Sequence, residues 1–220
     1  KYIINIEKII WKLKKIEIYS DNLKNEILLN FENNGDQLFS IVKNFQLYRI
    51  LNKSLLANKY CKKINTGKKK IKFDKYNIII NTDHLNDYTK KFFSKKILKT
   101  YNSLAYTTII KHEEIPNDVA VQIFTKEGPL AFLPISKNKT SIVYSIHKFE
   151  ESNNLNLKKL INQYNFKYKI KEIDKINSFD LKLCVLRSYH HGNILAFGDL
   201  LHKIHPLAGQ GFNMSLRDIA

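Results

Sequence analysis

The sequence predicts a mixed α/β fold, in which a layer of parallel strands and helices carries an inserted antiparallel sheet. Three observations predict it. Residues Tyr101–His147 hold four runs rich in β-branched and aromatic residues, separated by turn signals. Tyr76–Asn81 contains Ile78, Ile79 and Ile80, a continuous apolar run of the kind a strand buried on both faces shows. The apolar stretch Ile194–Phe197 ends at Gly198-Asp199 and leads through further glycines into a helical pattern, the strand–loop–helix order of an α/β layer. The 220 residues suffice for one large domain or two small ones. An apolar fraction of 44% with 12% aromatics excludes wholesale disorder, and seven Gly with four Pro exclude collagen-like or linker-dominated chains. No apolar run approaches the roughly 18 residues of a membrane-spanning helix.

Taken in order, Ile16–Tyr19, Glu26–Phe31 and Leu38–Val42 read as short strands, with a turn signal at Asn33-Asn34-Gly35-Asp36 between the last two. Leu47, Ile50, Leu51 and Leu55 then follow helical intervals from Asn44 to about Ala57, and Asn44 is expected to cap that helix. Lys62–Lys72 is a basic loop or hairpin around Gly67. After the Tyr76–Asn81 strand come strands Ala105–Lys111, Val119–Phe124, Leu130–Pro134 and Ser141–His147. Leu155–Tyr164 is expected to be a helix with Leu157, Leu160, Ile161 and Tyr164 on one face, Leu181–Tyr189 a strand, and Phe212–Ala220 a helix.

The formal charge is +17, from 37 basic and 20 acidic residues. All but three of the basic residues are Lys, and they spread along the whole chain without an aromatic-interleaved basic motif. Arg, suited to bidentate phosphate contacts, is nearly absent, so no nucleic-acid partner is expected. The two cysteines, Cys61 and Cys184, are far apart and form neither a zinc knuckle nor a disulfide framework. A reducing, cytoplasmic setting is expected. The chain starts at Lys1, without a signal peptide, and ends within a helical pattern, so a fragment of a longer protein is expected.

Gly192–Ala220 carries the chemistry. A carboxylate, Asp199, stands at the carboxyl end of a strand, where ligands of open α/β sheets bind. Gly209 and Gly211 let the backbone approach a ligand, and a helix begins directly after them. Its first N–H groups are unpaired and its dipole is positive at that end. An acceptor for sugar hydroxyls thus lies near a site for a negatively charged group. A cofactor with a polyol chain and a ring that becomes anionic, such as a reduced flavin, satisfies both. The same residues also read as a plain strand–loop–helix with glycines for turns. The histidines His190, His191, His202 and His205 cluster here, but no Cys or Glu completes a zinc pattern, and no metal is expected.

This segment closely resembles the third FAD-binding motif of the aromatic-ring hydroxylases, the p-hydroxybenzoate-hydroxylase-like flavin monooxygenases. The matching positions are Gly198, Asp199, His202, Pro206, Gly209, Gln210, Gly211, Asn213, Arg217 and Asp218, with Leu200 and Leu201 replacing two alanines. Phe124-Thr125-Lys126-Glu127-Gly128-Pro129-Leu130-Ala131-Phe132-Leu133-Pro134 is similar to the signature of one branch, the ubiquinone-biosynthesis hydroxylases (2-polyprenyl-6-methoxyphenol hydroxylase-like). Ser40–Leu55 is similar to the family segment in which an Arg opens a cofactor-domain helix, which points to Arg49. The family's first motif, a Gly-x-Gly-x-x-Gly loop, is absent. At its second motif Asp83 is kept, but His84 replaces a glycine and Asp87 a serine. A histidine cannot adopt a glycine-only backbone cheaply, which puts pyrophosphate or pyridine-nucleotide handling there in doubt.

The resemblance implies an incomplete Rossmann-like FAD-binding layer with an inserted substrate sheet. Residues 1–43 would be the first part of that sheet, 44–97 part of the FAD-binding domain, 98–190 the substrate sheet and 191–220 the third FAD motif. It implies FAD-dependent hydroxylation of a polyprenylated phenol in ubiquinone biosynthesis, with NAD(P)H as reductant and O2 as oxygen source. FAD contacts fall on Gly198, Asp199, Pro206, Gly209, Gln210, Gly211, Phe212, Asn213, Arg49 and Asp83. Phe124, Pro129, Leu130, Phe132, Pro134, Pro206 and Leu207 would wall the substrate pocket, and no acid or base is assigned. Proteins of a biosynthetic complex and a peripheral contact with the anionic inner membrane are the expected partners. The altered second motif keeps a second expectation open, a non-catalytic relative acting as a scaffold in such a complex.

Overall fold

A computed structural model describes residues 6–21, 26–64, 75–147, 156–204 and 209–219. The chain forms two compact units. One comprises Lys1–Ile64 and Leu104–Phe179, the other Asn65–Ser103 and Asp180–Ala220.

The first unit is built around a sheet. It contains β1 (Ile10–Leu13), β2 (Lys15–Ser20), β3 (Ile27–Glu32), β4 (Phe39–Val42), α1 (Asn44–Leu56), the second half of a long strand described below, and three strands of the expected antiparallel set. The alternation of apolar and polar positions in Val119–Phe124, Pro129–Ser136 and Lys139–His147 predicts strands with one face inward, and each forms antiparallel pairs with its neighbour in sequence. β2 pairs parallel with the first of them, Ile16 opposite Ala120, and antiparallel with β3. Asn33-Asn34-Gly35-Asp36 does turn, with φ of 44° at Asn34 and 82° at Gly35. The strands it joins do not pair as a hairpin, because β3 pairs with β2 while β4 pairs with β1. Helix α1 starts as expected, but Lys43 is its N-cap and no side chain caps it.

The second unit holds β5 (Ile79–Asn81) and α2 (Asp87–Phe92), and the chain then enters β6 (Lys96–His112), which contributes residues to both units. Next come β7 (Val119–Phe124), β8 (Pro129–Ser136), β9 (Lys139–His147), α3 (Leu157–Tyr164) and β10 (Ile170–Ile173) of the first unit. β11 (Asn177–Leu186) opens the return to the second unit, followed by β12 (His190–His191), β13 (Ile194–Ala196), β14 (His202–Lys203) and α4 (Gln210–Arg217). In the second unit β13 pairs parallel with β5 and antiparallel with β12, so the expected parallel layer exists.

The core of the first unit is made by Ile110, Val121, Ile123, Leu130, Phe132, Ile142, Tyr144 and Ile146 with Leu157 and Ile161 of α3. Helical spacing puts Leu157 and Ile161 on one face, and Asn156 caps the helix by accepting from Lys159 N–H. A buried polar cluster sits beside this core. The Asn117 side-chain amide donates to the Ser136 carbonyl at 2.8 Å and to Thr140 Oγ1 at 3.1 Å, and its oxygen accepts from the Tyr168 hydroxyl at 3.0 Å. The smaller core of the second unit is Phe93, Leu186, Ile194, Ala196 and Leu200. Ile80 stays 60% exposed and Ile78 68% exposed. The expected parallel strand therefore forms at Ile79–Asn81 but is not buried on both faces, since no described element covers the face that Ile80 presents.

Candidate functional site

β5 and β13 are adjacent and parallel, with Ala196 opposite Asn81 and Phe197 N–H donating to the Asn81 carbonyl at 2.9 Å. Their carboxyl ends therefore lie side by side, one leading to Asp83 and the other to Asp199. This is where a parallel sheet offers a ligand its crevice.

At the β13 end, Gly198 has φ +66°, which a residue with a Cβ rarely adopts, and it starts a short 3-10 turn through Leu200. Leu200 is buried and anchors that turn, while Asp199 is exposed and makes no hydrogen bond among the described residues. Its carboxylate is a free acceptor. The N-cap of α4 is Gly209, in the left-handed region at φ +64°, and no side chain caps the helix. A Cβ at Gly209 or Gly211 would meet nothing within 4 Å, so the approach to the first N–H groups is open. Gln210, Phe212 and Asn213 are exposed on that first turn. The site thus offers a free carboxylate acceptor and uncapped helix N–H donors, which fits a ligand carrying both hydroxyls and negative charge. Pro206 and Leu207, expected to shape this site, lie outside the described residues.

At the β5 end the turn closes on itself. The Asn81 side chain is buried, donates to Thr89 Oγ1 at 2.8 Å, and accepts from Asp83 N–H at 3.2 Å and from the Asn86 amide at 2.7 Å. Thr89 Oγ1 donates to the Asp83 carbonyl at 2.6 Å, and Asp83 Oδ1 accepts from Leu85 N–H at 2.8 Å. His84 does not have a positive φ, so the glycine conformation is not required there. Instead, asparagine and threonine side chains shape the turn. Sequence reasoning missed this cluster, although Asn81, Asn86 and Thr89 stand close together in the chain. A groove of about 230 Å³ runs along this turn, lined by Ile79, Asn81, Asp83, Asn86 and Tyr88.

The remaining expected site residues lie in the first unit. Arg49 is exposed on α1, with its guanidinium carbon 5.5 Å from the Phe45 ring centroid. The strand alternation of β8 sends Leu130, Phe132 and Pro134 into the core, where all three are essentially fully buried. Their side chains face the core rather than an open pocket. Phe124 is 45% exposed and Pro129 half-buried, so these two remain accessible to a ligand. Gly128 makes the intervening turn at φ +146°, and a Cβ there would collide with the Ser145 backbone oxygen. Thr125, Glu127 and Tyr144 close under the turn: the Thr125 and Tyr144 hydroxyls lie 2.9 Å apart, and Glu127 accepts from Thr125 at 3.1 Å. No helix among the described residues is long and apolar enough to cross a membrane.

A family described as FAD binding domain matches residues 99–220. Among curated proteins, 3-demethoxyubiquinol 3-hydroxylase of Escherichia coli is 32% identical over 116 residues, covering 50% of this chain and 30% of that protein. Ubiquinone hydroxylase UbiL of Rhodospirillum rubrum is 28% identical over 127 residues, covering 54% of this chain and 30% of that protein. The match thus spans less than a third of the length of these relatives. Among solved structures, p-nitrophenol 4-monooxygenase PnpA from Pseudomonas putida superposes with a TM-score of 0.74 at 11% identity, over 99% of this chain and 63% of that one. Pseudomonas aeruginosa PqsL in complex with 2-aminobenzoylacetate gives 0.71 at 15% identity, over 98% of this chain and 68% of that one. These structural likenesses show the fold.

Proposed function

The chain belongs to the FAD binding domain family, and from that premise we propose that it is part of a flavin-dependent monooxygenase that hydroxylates the ring of a polyprenylated phenol, with NAD(P)H as reductant. The observation that carries this reading is the pairing, in one unit, of a free Asp199 carboxylate at a strand end with the uncapped, glycine-led start of α4. Asp199 accepts from the ribityl hydroxyls. The N–H groups of Gly211, Phe212 and Asn213 hold negative charge at the pyrimidine edge of the ring by hydrogen bonding and by the helix dipole. Gly198 and Gly209 supply the backbone turns that aim these groups, and Gln210 borders them. FAD supplies the redox and oxygen chemistry when bound, and the protein supplies orientation and electrostatics. Arg49 and Asp83 are proposed as outer contacts to the cofactor, and Pro206 and Leu207 as neighbours of its reactive edge. Phe124 and Pro129 offer apolar surface to the substrate. The relatives named as ubiquinone hydroxylases support the choice of a polyprenylated phenol.

The self-closed Asp83 turn favours a second reading, a relative that keeps the fold but not the pyridine-nucleotide step. One experiment separates the two. The full-length protein is reconstituted with FAD, and NAD(P)H-dependent flavin reduction is followed at the visible flavin band, with and without a polyprenylated phenol. A yellow protein that is reduced and hydroxylates the phenol supports the first reading. A yellow protein that NAD(P)H never reduces supports the second, and a colourless one overturns FAD binding itself.

A further inference from the structure

Among the polar residues of the third-motif segment that the proposed cofactor contacts do not use are His202 and Asp218. The structure brings them together. His202 Nε2 lies 2.8 Å from Asp218 Oδ2, and the His202 side chain is only 9% exposed. A carboxylate can only accept, so Nε2 is the donor. Nδ1 is buried and has no hydrogen-bond partner among the described residues. A ring protonated at Nε2 alone leaves Nδ1 as a bare acceptor and avoids burying an unpaired N–H. The pair is therefore a charge-assisted hydrogen bond from a buried imidazole to an Asp218 side chain that is 32% exposed.

Its location gives it a task. His202 opens β14, two residues beyond the 3-10 turn that carries Asp199; β14 pairs with β11, His202 opposite Val185, and Leu186 N–H donates to the adjoining Leu201 carbonyl at 3.0 Å. Asp218 is the C-cap of α4, with its N–H on the Met214 carbonyl at 2.9 Å. α4 buries none of its own side chains, so apolar packing does little to fix where it points. The chain itself ties the near end of α4 to β14, and the His202–Asp218 bond ties its far end to the same strand, so the helix is restrained at both ends.

We propose that His202 and Asp218 form a positioning clasp, which holds the N-terminus of α4 in register with the Asp199 turn and so sets the affinity and geometry of the cofactor site. This rests on the reading of that site as a flavin site. Neither residue touches the cofactor; both act through α4.

The test uses the full-length protein, with His202→Leu, Asp218→Ala, their double variant and the conservative Asp218→Asn, whose amide oxygen still accepts from Nε2. Two readouts are taken: amide hydrogen exchange of residues 210–217 without flavin, and FAD affinity with visible circular dichroism of bound FAD. His202→Leu and Asp218→Ala are each expected to speed exchange in α4 and weaken FAD binding about tenfold. The double variant is expected to be no worse than either single one, as for two groups that act only through each other. Asp218→Asn is expected to restore most of the affinity and the dichroic signature. Unchanged exchange in α4 would overturn the clasp. Faster exchange with unchanged FAD affinity and dichroism overturns the positioning role, and so do losses that simply add in the double variant. Should His202→Leu fail to fold, Asp218→Ala against Asp218→Asn decides the matter alone. A wild-type protein that takes up no FAD removes the reading beneath the proposal, and this is seen before any variant is compared.

Discussion

Ile142 and Ile80 are both isoleucines within apolar strands, and they end in opposite environments. Ile142, in β9 of the first unit, is fully buried, whereas Ile80, in β5 of the second, is 60% exposed. The first unit has two layers, because α3 lays Leu157 and Ile161 over the sheet. The second has a three-stranded sheet, β12-β13-β5, whose core among the described residues holds five buried side chains. An apolar strand is only as buried as the layer that covers it. The polar clusters differ in the same way. Asn117 ties together segments far apart in sequence, reaching Trp11, Ser136, Thr140 and Tyr168. The Asn81 cluster ties one short turn from Asn81 to Thr89.

Substitutions can sharpen this contrast, and the largest effects belong to the first unit. Ile142→Ala should cost about 4 kcal/mol of unfolding free energy in denaturant titration, since it empties a closed core. Gly128→Ala should cost a similar amount, because the new Cβ meets the Ser145 backbone at a φ unsuited to side chains. If either change were tolerated within about 1 kcal/mol, the first unit would not be the tightly packed layer described.

Asn117→Ala should follow at about 2 kcal/mol, as it leaves the half-buried Ser136 carbonyl without this donor and removes one partner of the buried Tyr168 hydroxyl. Asn81→Ala should cost less globally and show instead as faster amide exchange confined to residues 83–89. Equal global losses for the two would erase the distinction between a long-range and a local cluster.

Alkaline pH offers a milder test. Burial pushes the Tyr144 phenol up to about 12, with the Glu127 carboxylate adding to the effect, and burial with the neighbouring Glu17 does the same to Tyr19. In the fold these phenols keep their protons beyond the pH at which the unfolded chain loses them, near 10.0. Their contribution is complete below pH 10 and is lost as pH rises toward 12. The phenols' share of the unfolding free energy should therefore be level to about pH 10 and decline above it, and Tyr144→Phe should flatten that decline. A Tyr144→Phe profile of unchanged slope would mean that this phenol ionises freely. The smallest effect is expected for Ile80→Ala in the 220-residue chain, within about 0.5 kcal/mol, because its side chain already meets solvent.

Much of the site was legible because it is local. Gly198, Asp199, Gly209 and Gly211 occupy one stretch of chain, and their proposed roles follow from backbone freedom and the position of a strand end and a helix start. The His202–Asp218 contact was not legible from chemistry alone, since sixteen residues separate the partners and many histidines and aspartates stand as close in sequence without meeting. The inward direction of Leu130, Phe132 and Pro134 was equally hidden. Period-two alternation says that these three share a face, but only the placement of α3 says that this face is the core. The strand Ile10–Leu13 and the helix Asp87–Phe92 escaped notice because each is one short element with little periodicity of its own.

By itself, the sequence determined the longer strand and helix segments, the glycine turns at Gly128, Gly198 and Gly209, and the succession of a strand-end carboxylate and a helix start. These depend on neighbours within a few residues, through backbone sterics and side-chain periodicity. Tertiary structure alone decided that β2 pairs parallel with β7, that the turn at Asn34-Gly35 joins strands with different partners, and that Ile80 stays open while Ile142 is sealed. Those outcomes depend on which distant segments compete for the same hydrogen-bonding edge and the same apolar face, and local residue order does not encode that competition.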